Sequence, residues 1–331
     1  MRIVDFHCDL LSYLAEGHGR ADALEARCSW PQLRQGCVTL QVMALYTETS
    51  ANSTLSFQKQ MDCYQNLPTL YPEQFVHCHA LQLPQSDDKI HVLAAVENAS
   101  GLVLENEPLS LCFRRLDEFL ALCSPVVYIS LTWNTENRFG GGNQSQIGLK
   151  DDGKQLLQYL EGKHIAIDLS HASDQLAYDV LNYLEQENLN LIPIASHSNF
   201  RAVCQHPRNL PDELAQEIIR RGGFIGLNLF RPFIGSSLPG DLIAQAEYVL
   251  KKGWWEGFCF GADFFCDKQF SHLLSYAAPF YARSFEDSSC YPRLLELLSS
   301  ICSAQQLQQL AYGNAAAFLT RLKEGAHAYS R

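Results

Sequence analysis

The sequence predicts a (β/α)8 barrel, the TIM-type α/β fold in which eight parallel strands alternate with helices. Eight short apolar runs are spread along the 331 residues, and amphipathic stretches lie between most of them. Several runs, such as 165–169 and 191–195, are apolar without alternation, as is typical of parallel strands buried on both faces. Eight such units spread over almost the whole chain favour a closed barrel.

The predicted strands are residues 2–6, 37–45, 90–96, 125–131, 164–169, 191–195, 223–229 and 257–262. Amphipathic stretches predict helices at 153–162, 173–187, 211–221 and 241–252. Three of these helices begin with capping or first-turn residues, namely Ser173-Asp174, Pro211-Asp212-Glu213 and Gly240-Asp241.

The C-terminal part departs from this alternation. An aromatic-rich insertion at 270–292 precedes two predicted helices at 292–300 and 304–323. The chain shows no internal repeat, low-complexity tract or linker. We therefore expect a single (β/α)8 barrel domain over residues 1–331.

Composition excludes several functional classes. The net charge is −11 and the pI about 5.4, and no Lys/Arg cluster suggests a nucleic-acid surface. No apolar stretch reaches the ~18 residues needed to span a bilayer, and the first residues lack the pattern of a signal peptide. The 12 cysteines are scattered without Cys-x-x-Cys pairs, which indicates reduced, mostly buried thiols. We expect a cytoplasmic enzyme without nucleic-acid or membrane partners.

Residues of metal-ligand type follow five of the predicted strands. Because catalytic groups of such barrels lie at the C-terminal ends of strands, we expect these residues on one rim. Side chains two residues apart in an extended segment share a face, which would bring His7 and Asp9 together. The six candidates are His7 and Asp9 after the first strand, Glu97 after the third, His171 after the fifth, His197 after the sixth and Asp263 after the eighth.

The size of this set favours two metal ions over one. A catalytic zinc ion usually takes three protein ligands, so six groups exceed its needs. A carboxylate can bridge two ions about 3.5–4 Å apart and trap a hydroxide between them. Glu97 is the natural bridge, since it follows the apolar run 93–96 with no second ligand beside it.

Structural alternatives exist for these residues. Asp5 fits a hydrogen-bonding role better than a metal-binding one, His171 could cap the following helix, and Asp263 could be an N-cap or turn residue. Their convergence from different strands argues for a shared site. The run His77-Cys78-His79 looks like a metal cluster, but it precedes a strand at the other end of the barrel and is interpreted as structural.

Together these residues resemble the membrane (renal) dipeptidase family, the zinc peptidases of the M19 type, and in particular its soluble bacterial members. The most specific part is Ser-His-Ser at 196–198, followed by Arg-Asn-Leu-Pro beginning 11 residues after the histidine. The matching segments occur in the family's order and cover nearly the whole chain: 5–9, 96–98, 131–134, 168–171, 196–198, 208–211 and 261–264.

The resemblance implies a binuclear zinc dipeptidase that hydrolyses small dipeptides by a metal-bridging hydroxide, with a homodimer possible by analogy. Two zinc ions per chain are implied, one held by His7 and Asp9, the other by His171 and His197, with Glu97 bridging.

The same resemblance implies roles beyond the metals. Arg208 would receive the substrate carboxylate, for which its planar fork is well suited. Asp263 would be the general acid/base that handles the water proton and the leaving amine. The chain departs from renal-type members at Trp133, where they carry a histidine that helps polarise the substrate carbonyl. Indole N–H is only a donor, on a larger ring, so we expect a restricted substrate range.

Two alternative functions stay open. One keeps the metal site but hydrolyses another small amide, such as an N-acyl amino acid or a cyclic amide, and Arg208 and Trp133 bear on that choice. The other is a non-catalytic binding protein, against which the intact ligand set and Asp263 argue.

Overall fold

The computed structural model describes residues 1–17, 19–84, 88–269 and 279–325. Within these ranges, nine parallel strands form one sheet. They are β1 Ile3–Cys8, β2 Val38–Tyr46, β3 Phe75–His77, β4 Ile90–Glu97, β5 Val126–Ser130, β6 Ala166–Asp168, β7 Pro193–Ile194, β8 Ile225–Leu227 and β9 Phe258–Phe260.

Eight of these strands close into the predicted barrel. Neighbours follow the order β7-β6-β5-β4-β2-β1-β9-β8. A parallel bridge between Ala195 and Ile225 joins the two ends. There the amide of Ala195 donates to the carbonyl of Phe224 at 2.9 Å, and the amide of Gly226 donates to the carbonyl of Ala195 at 2.8 Å. The (β/α)8 fold class is confirmed.

Strand β3 is an addition that the sequence reasoning missed. It pairs with the beginning of β4, with Phe75 beside Ile90 and His77 beside Val92. The Nε2 atom of His77 lies 2.9 Å from the carbonyl oxygen of Tyr64. His77 therefore lies at the N-terminal end of β4, away from Glu97 at the other end, and has a structural partner.

The helices are α1 Leu10–Ala15, α2 Trp30–Gln35, α3 Ser53–Leu70, α4 Ser110–Cys123, α5 Asp151–Leu160, α6 Asp174–Gln186, α7 Asp212–Arg220, α8 Arg231–Ile234, α9 Gly240–Lys252, α10 Tyr291–Leu298, α11 Ala304–Gln308 and α12 Asn314–Glu324. The four central predictions correspond to α5, α6, α7 and α9. A π-helical turn, Gln309–Gly313, interrupts the helix predicted at 304–323. Of the predicted insertion, residues 270–278 lie outside the described residues.

Helix α12 packs against the buried aromatic cluster of the barrel strands. The ring of Phe318 lies 5.7 Å from that of Phe6 and 4.7 Å from that of Phe224. All three side chains are buried, and each contributes about 1.5–3 kcal/mol by leaving water. The packing fixes the strands from which the functional groups project.

The remaining structural expectations concern thiols and membranes. All 12 cysteines lie in the described ranges, none of them is in a disulfide, and most are buried. Among the described residues, no helix has both the length and the apolar character required to cross a membrane.

Candidate metal centre

The six residues predicted to form a site converge at the C-terminal end of the barrel. All are buried, and the most exposed, Asp263, is only 9% accessible. His7 belongs to β1, Asp9 follows it directly, Glu97 ends β4, and His171, His197 and Asp263 follow β6, β7 and β9 by three residues each.

Glu97 lies at the centre of the cluster and directs its two oxygens to different partners. Its Oε2 lies 3.4 Å from Nε2 of His7. Its Oε1 lies 2.9 Å from Nε2 of His171 and 3.6 Å from Nε2 of His197. Each oxygen of Glu97 thus has its own imidazole neighbours.

His7 connects Glu97 to the other carboxylates. Its Nε2 lies 3.8 Å from Oδ2 of Asp9 and 3.7 Å from Oδ1 of Asp263. Two groups have ligand-type atoms that all lie within 4.8 Å of one another, one of His7, Glu97 and His197, and one of His7, Asp9 and Asp263.

The end of β1 explains how His7 and Asp9 reach one site. The pairing of β1 with β2 shifts register between Asp5 and Cys8, and such irregularities redirect side chains. Asp9 has φ −105° and ψ 31° and begins the turn into α1, so the segment is not extended there. The two side chains meet, but through a bulge and a turn instead of the two-residue strand repeat.

Two buried atoms show that the cluster fits a metal. Nε2 of His7 and Oδ1 of Asp9 have no hydrogen-bond partner among the described residues. Buried polar atoms usually have one, so two such unpartnered atoms within one cluster fit a site that binds a cation. Imidazole nitrogen and carboxylate oxygen are donors that zinc accepts.

Hydrogen bonds at Nδ1 orient the imidazoles of His7 and His171. Nδ1 of His7 lies 2.7 Å from the hydroxyl of Tyr128, which donates its own proton to the carbonyl of Phe6 at 3.0 Å. Nδ1 of His171 lies 2.8 Å from the side-chain oxygen of Asn134. Both oxygens act as acceptors, so the Nδ1 atoms carry the protons and the Nε2 lone pairs face the cluster.

His197 is oriented by a longer chain of contacts. Its Nδ1 lies 2.7 Å from Oγ of Ser196, which donates to Oδ2 of Asp168 at 2.6 Å. The serine oxygen thus accepts from Nδ1 and leaves Nε2 as the ligand atom. Asn134, Asp168 and Ser196 lie in segments that match the family, but the sequence analysis assigned them no role. Tyr128 was missed, because its signal in the sequence is no more than a polar group in an apolar strand.

The central charges stabilise one another. Burial acts to raise the pKa of Glu97, but His7 and His171 outweigh it and hold that pKa well below its ordinary value. Burial acts to lower the pKa of His7, but Tyr128, Glu97 and Asp9 raise it well above 6.5. Positive charge on His7 and negative charge on Glu97 therefore favour each other.

The two imidazoles on the other side of Glu97 stay neutral. Burial, followed by the charge of Arg208, lowers the pKa of His171 to about 3. Burial and then the charge of His7 lower the pKa of His197 well below its ordinary value. Neutral imidazoles are the form that binds metal.

Asp263 combines a turn conformation with a place in the site. Its φ of 64° is in the left-handed region, where aspartate is one of the few tolerated residues. Burial, with repulsion from Asp9 and Glu97, raises its pKa to about 7, although His7 and Arg208 oppose the shift. Its Oδ2 accepts a hydrogen bond from Nδ2 of Asn228 at 2.8 Å, a partner that sequence reasoning missed.

Arg208 and Trp133 lie beside the cluster. Arg208 is buried and donates to Oγ of Ser198 at 2.7 Å and to the carbonyl of His197 at 3.0 Å. The half-buried Trp133 ring lies 5.9 Å from the ring of His171 and 5.1 Å from that of Tyr46.

Asp5 makes structural hydrogen bonds, one of them from the amide of His7 at 3.3 Å. Its Oδ1 accepts from the amide of Ala262 at 3.0 Å and its Oδ2 from the hydroxyl of Tyr291 at 2.7 Å. These contacts connect β1 to the end of β9 and to α10, as the structural interpretation expects.

Comparison with known proteins decides the family. Residues 1–329 match the family described as Membrane dipeptidase (Peptidase family M19). The chain belongs to this family. An uncharacterized dipeptidase of Schizosaccharomyces pombe is 25% identical over 294 residues, which cover 80% of this chain and 64% of that protein. The chain spans 51–67% of the lengths of the first curated relatives that it matches.

Solved structures of a metallo peptidase and a probable dipeptidase share the fold. A metallo peptidase from Rhodobacter sphaeroides, liganded with a phosphinate mimic of L-Ala-D-Ala, superposes with a TM-score of 0.78 at 16% identity, over 97% of this chain and 99% of that one. The probable dipeptidase PvdM from Pseudomonas aeruginosa has a TM-score of 0.76 at 16% identity, over 98% and 96%. At these identities the likeness establishes the fold.

Proposed function

We propose that this family member is a binuclear zinc dipeptidase that hydrolyses small dipeptides. The observation that carries the proposal is Glu97, whose two oxygens lie next to different imidazoles, Oε2 next to His7 and Oε1 next to His171. His7 and Asp9 would hold one ion, and His171 and His197 the other. Two bound zinc ions would lower the pKa of water toward neutrality and polarise the scissile carbonyl.

Asp263 is the proposed acid/base. It takes one proton from the attacking water as the new C–O bond forms, and it gives that proton to the amide nitrogen as the C–N bond breaks. The products are a carboxylic acid, which ionises at neutral pH, and a free amine. Its pKa, raised to about 7, suits a group that must both accept and donate a proton near neutrality.

Arg208 is the proposed receptor for the free carboxylate of the dipeptide. The guanidinium is already oriented by Ser198 and the His197 carbonyl, and its charge acts on both His171 and Asp263. A fixed cation beyond the metals would favour short peptides, because only they have a carboxylate close to the scissile bond.

Trp133 would limit the size of the substrate, and it bears on a second candidate function. Its ring beside His171 narrows the space next to the scissile bond. If dipeptides do not fit, the same site would suit another small amide, such as an N-acyl amino acid or a cyclic amide.

A substrate panel on zinc-loaded protein tests the proposal. The bound ligand of the Rhodobacter sphaeroides neighbour mimics L-Ala-D-Ala, so this dipeptide is the first substrate, beside L-Ala-L-Ala, N-acetylalanine and a cyclic dipeptide. We expect free alanine from the linear dipeptides and little from the others. Turnover of N-acetylalanine alone would replace the dipeptidase assignment with the second candidate.

A further inference from the structure

Asn228 is a fully buried amide that follows β8 and contacts both His197 and Asp263. Its Nδ2 donates to the His197 carbonyl at 3.2 Å and to Oδ2 of Asp263 at 2.8 Å. Its Oδ1 accepts from the amide of Phe230 at 2.7 Å. The reverse orientation would place oxygen against the His197 carbonyl and NH2 against an N–H donor, so the network fixes the amide.

This fixed donor makes the two oxygens of Asp263 inequivalent. Oδ2 accepts from an N–H group, which occupies one of its lone pairs and makes this oxygen the weaker proton acceptor of the two. Oδ1 lies on the other side, 3.7 Å from Nε2 of His7 and towards the cluster. The oxygen that faces the cluster is thereby the more basic of the two.

Tyr281 holds the main chain of the same residue. Its hydroxyl donates to the carbonyl of Asp263 at 2.5 Å, while the amide of Asp263 donates to the His7 carbonyl at 3.2 Å. The Tyr281 ring is buried against Phe264, with centroids 5.3 Å apart, and under the guanidinium of Arg27 at 5.0 Å. These contacts maintain a left-handed conformation that costs free energy in residues other than glycine.

We propose that Asn228 and Tyr281 are positioning residues for proton transfer, and that Oδ1 of Asp263 carries the transferred proton. The inference rests on the proposed dipeptidase function. Oδ1 receives a proton from water and delivers it to the amide nitrogen, while Asn228 fixes Oδ2 and Tyr281 fixes the backbone behind it.

The test compares two isosteric substrates in two variants. L-Ala-D-Ala has an amide bond, and L-alanyl-D-lactate has an ester in its place with the same carboxylate. An amide nitrogen must be protonated to leave, whereas an alkoxide leaves more readily. A misplaced general acid therefore lowers kcat for the amide more than kcat for the ester. In Asn228→Leu and Tyr281→Phe we expect kcat for the dipeptide to fall by roughly 10–100-fold, with a clearly smaller loss for the ester. KM and zinc content should stay within about twofold, since only the transfer geometry changes.

Asn314→Leu is the matched control, because Asn314 is also buried and donates to two carbonyls, of Trp255 and Phe258, but outside the cluster. It should lower stability without changing the amide-to-ester ratio. If Asn228→Leu does not fold, the amide-to-ester ratio of Tyr281→Phe tests the inference by itself, because this variant keeps the aromatic ring. Equal losses on both substrates, or no loss, would overturn the inference. A wild-type protein that hydrolyses neither substrate would instead overturn the proposed function.

Discussion

Oε2 of Glu97 lies 3.4 Å from Nε2 of His7, while its other oxygen points to the imidazoles that follow β6 and β7. This relationship arises because β4, which ends at Glu97, has β2 and then β1 on one side and β5, β6 and β7 on the other. A single carboxylate thus connects the imidazoles of a buried, charged cluster.

Replacing Asp263 tests the proton-transfer role. Asp263→Asn keeps the shape and the contact with Asn228 but removes the basic oxygen. We expect kcat to fall by roughly 10²–10⁴ with zinc content largely intact. Near-normal turnover, measured with L-Ala-D-Ala, would remove Asp263 from the mechanism.

The same substitution should stabilise the metal-free protein. The pKa of Asp263 is raised to about 7 in the folded state, above the ~3.9 of an unfolded chain, so its ionisation opposes folding. This penalty is absent below about pH 4, grows between pH 4 and 7, and is complete above pH 7. Chelated Asp263→Asn should therefore be roughly 1–4 kcal/mol more stable than chelated wild type at pH 8, by urea unfolding. A difference in unfolding free energy that does not change with pH would show that ionisation of this carboxylate does not oppose folding.

Replacing Arg208 tests recognition of the substrate carboxylate. Arg208→Met keeps much of the apolar stem but removes the charge, so kcat/KM for free dipeptides should fall far more than for their C-terminal amides. Arg20→Met, at an exposed residue paired with Asp22, is the control. Equal losses on dipeptides and amides would give Arg208 a structural role.

Replacing Trp133 tests the limit on substrate size. The indole cannot accept a proton, and its ring lies 5.9 Å from that of His171, so wild type should cleave bulky or rigid amides such as β-lactams poorly. Trp133→His should widen the range without changing zinc content. Efficient opening of β-lactams by wild type would contradict a Trp133-limited pocket.

The fold could be predicted because its signals are local. The apolar runs of buried parallel strands and caps such as Ser173, whose side chain accepts from the amide of Leu176, are readable along the chain. Strand β3 was missed because three residues carry little periodicity. The π-turn before α12 was missed because helical spacing does not reveal an extra residue in one turn.

The candidate ligands could be proposed because strand ends in a barrel share one rim. What sequence could not supply was the detail of orientation. Tyr128, Asn228 and Tyr281 come from segments far from their partners, and only folding brings their donors and acceptors together. Likewise, the bulge in β1 that directs His7 depends on its pairing with β2.

Zinc stoichiometry tests the central claim most directly. Equilibrium dialysis followed by elemental analysis should give two zinc ions per chain for wild type. His171→Ala should lose one ion preferentially, and Glu97→Ala should weaken both, because Glu97 faces both halves of the cluster. Glu118→Ala, on the exposed face of α4, should bind as wild type does. A single tight ion at saturation in wild type, or a Glu97→Ala protein that still binds two ions tightly, would contradict the account.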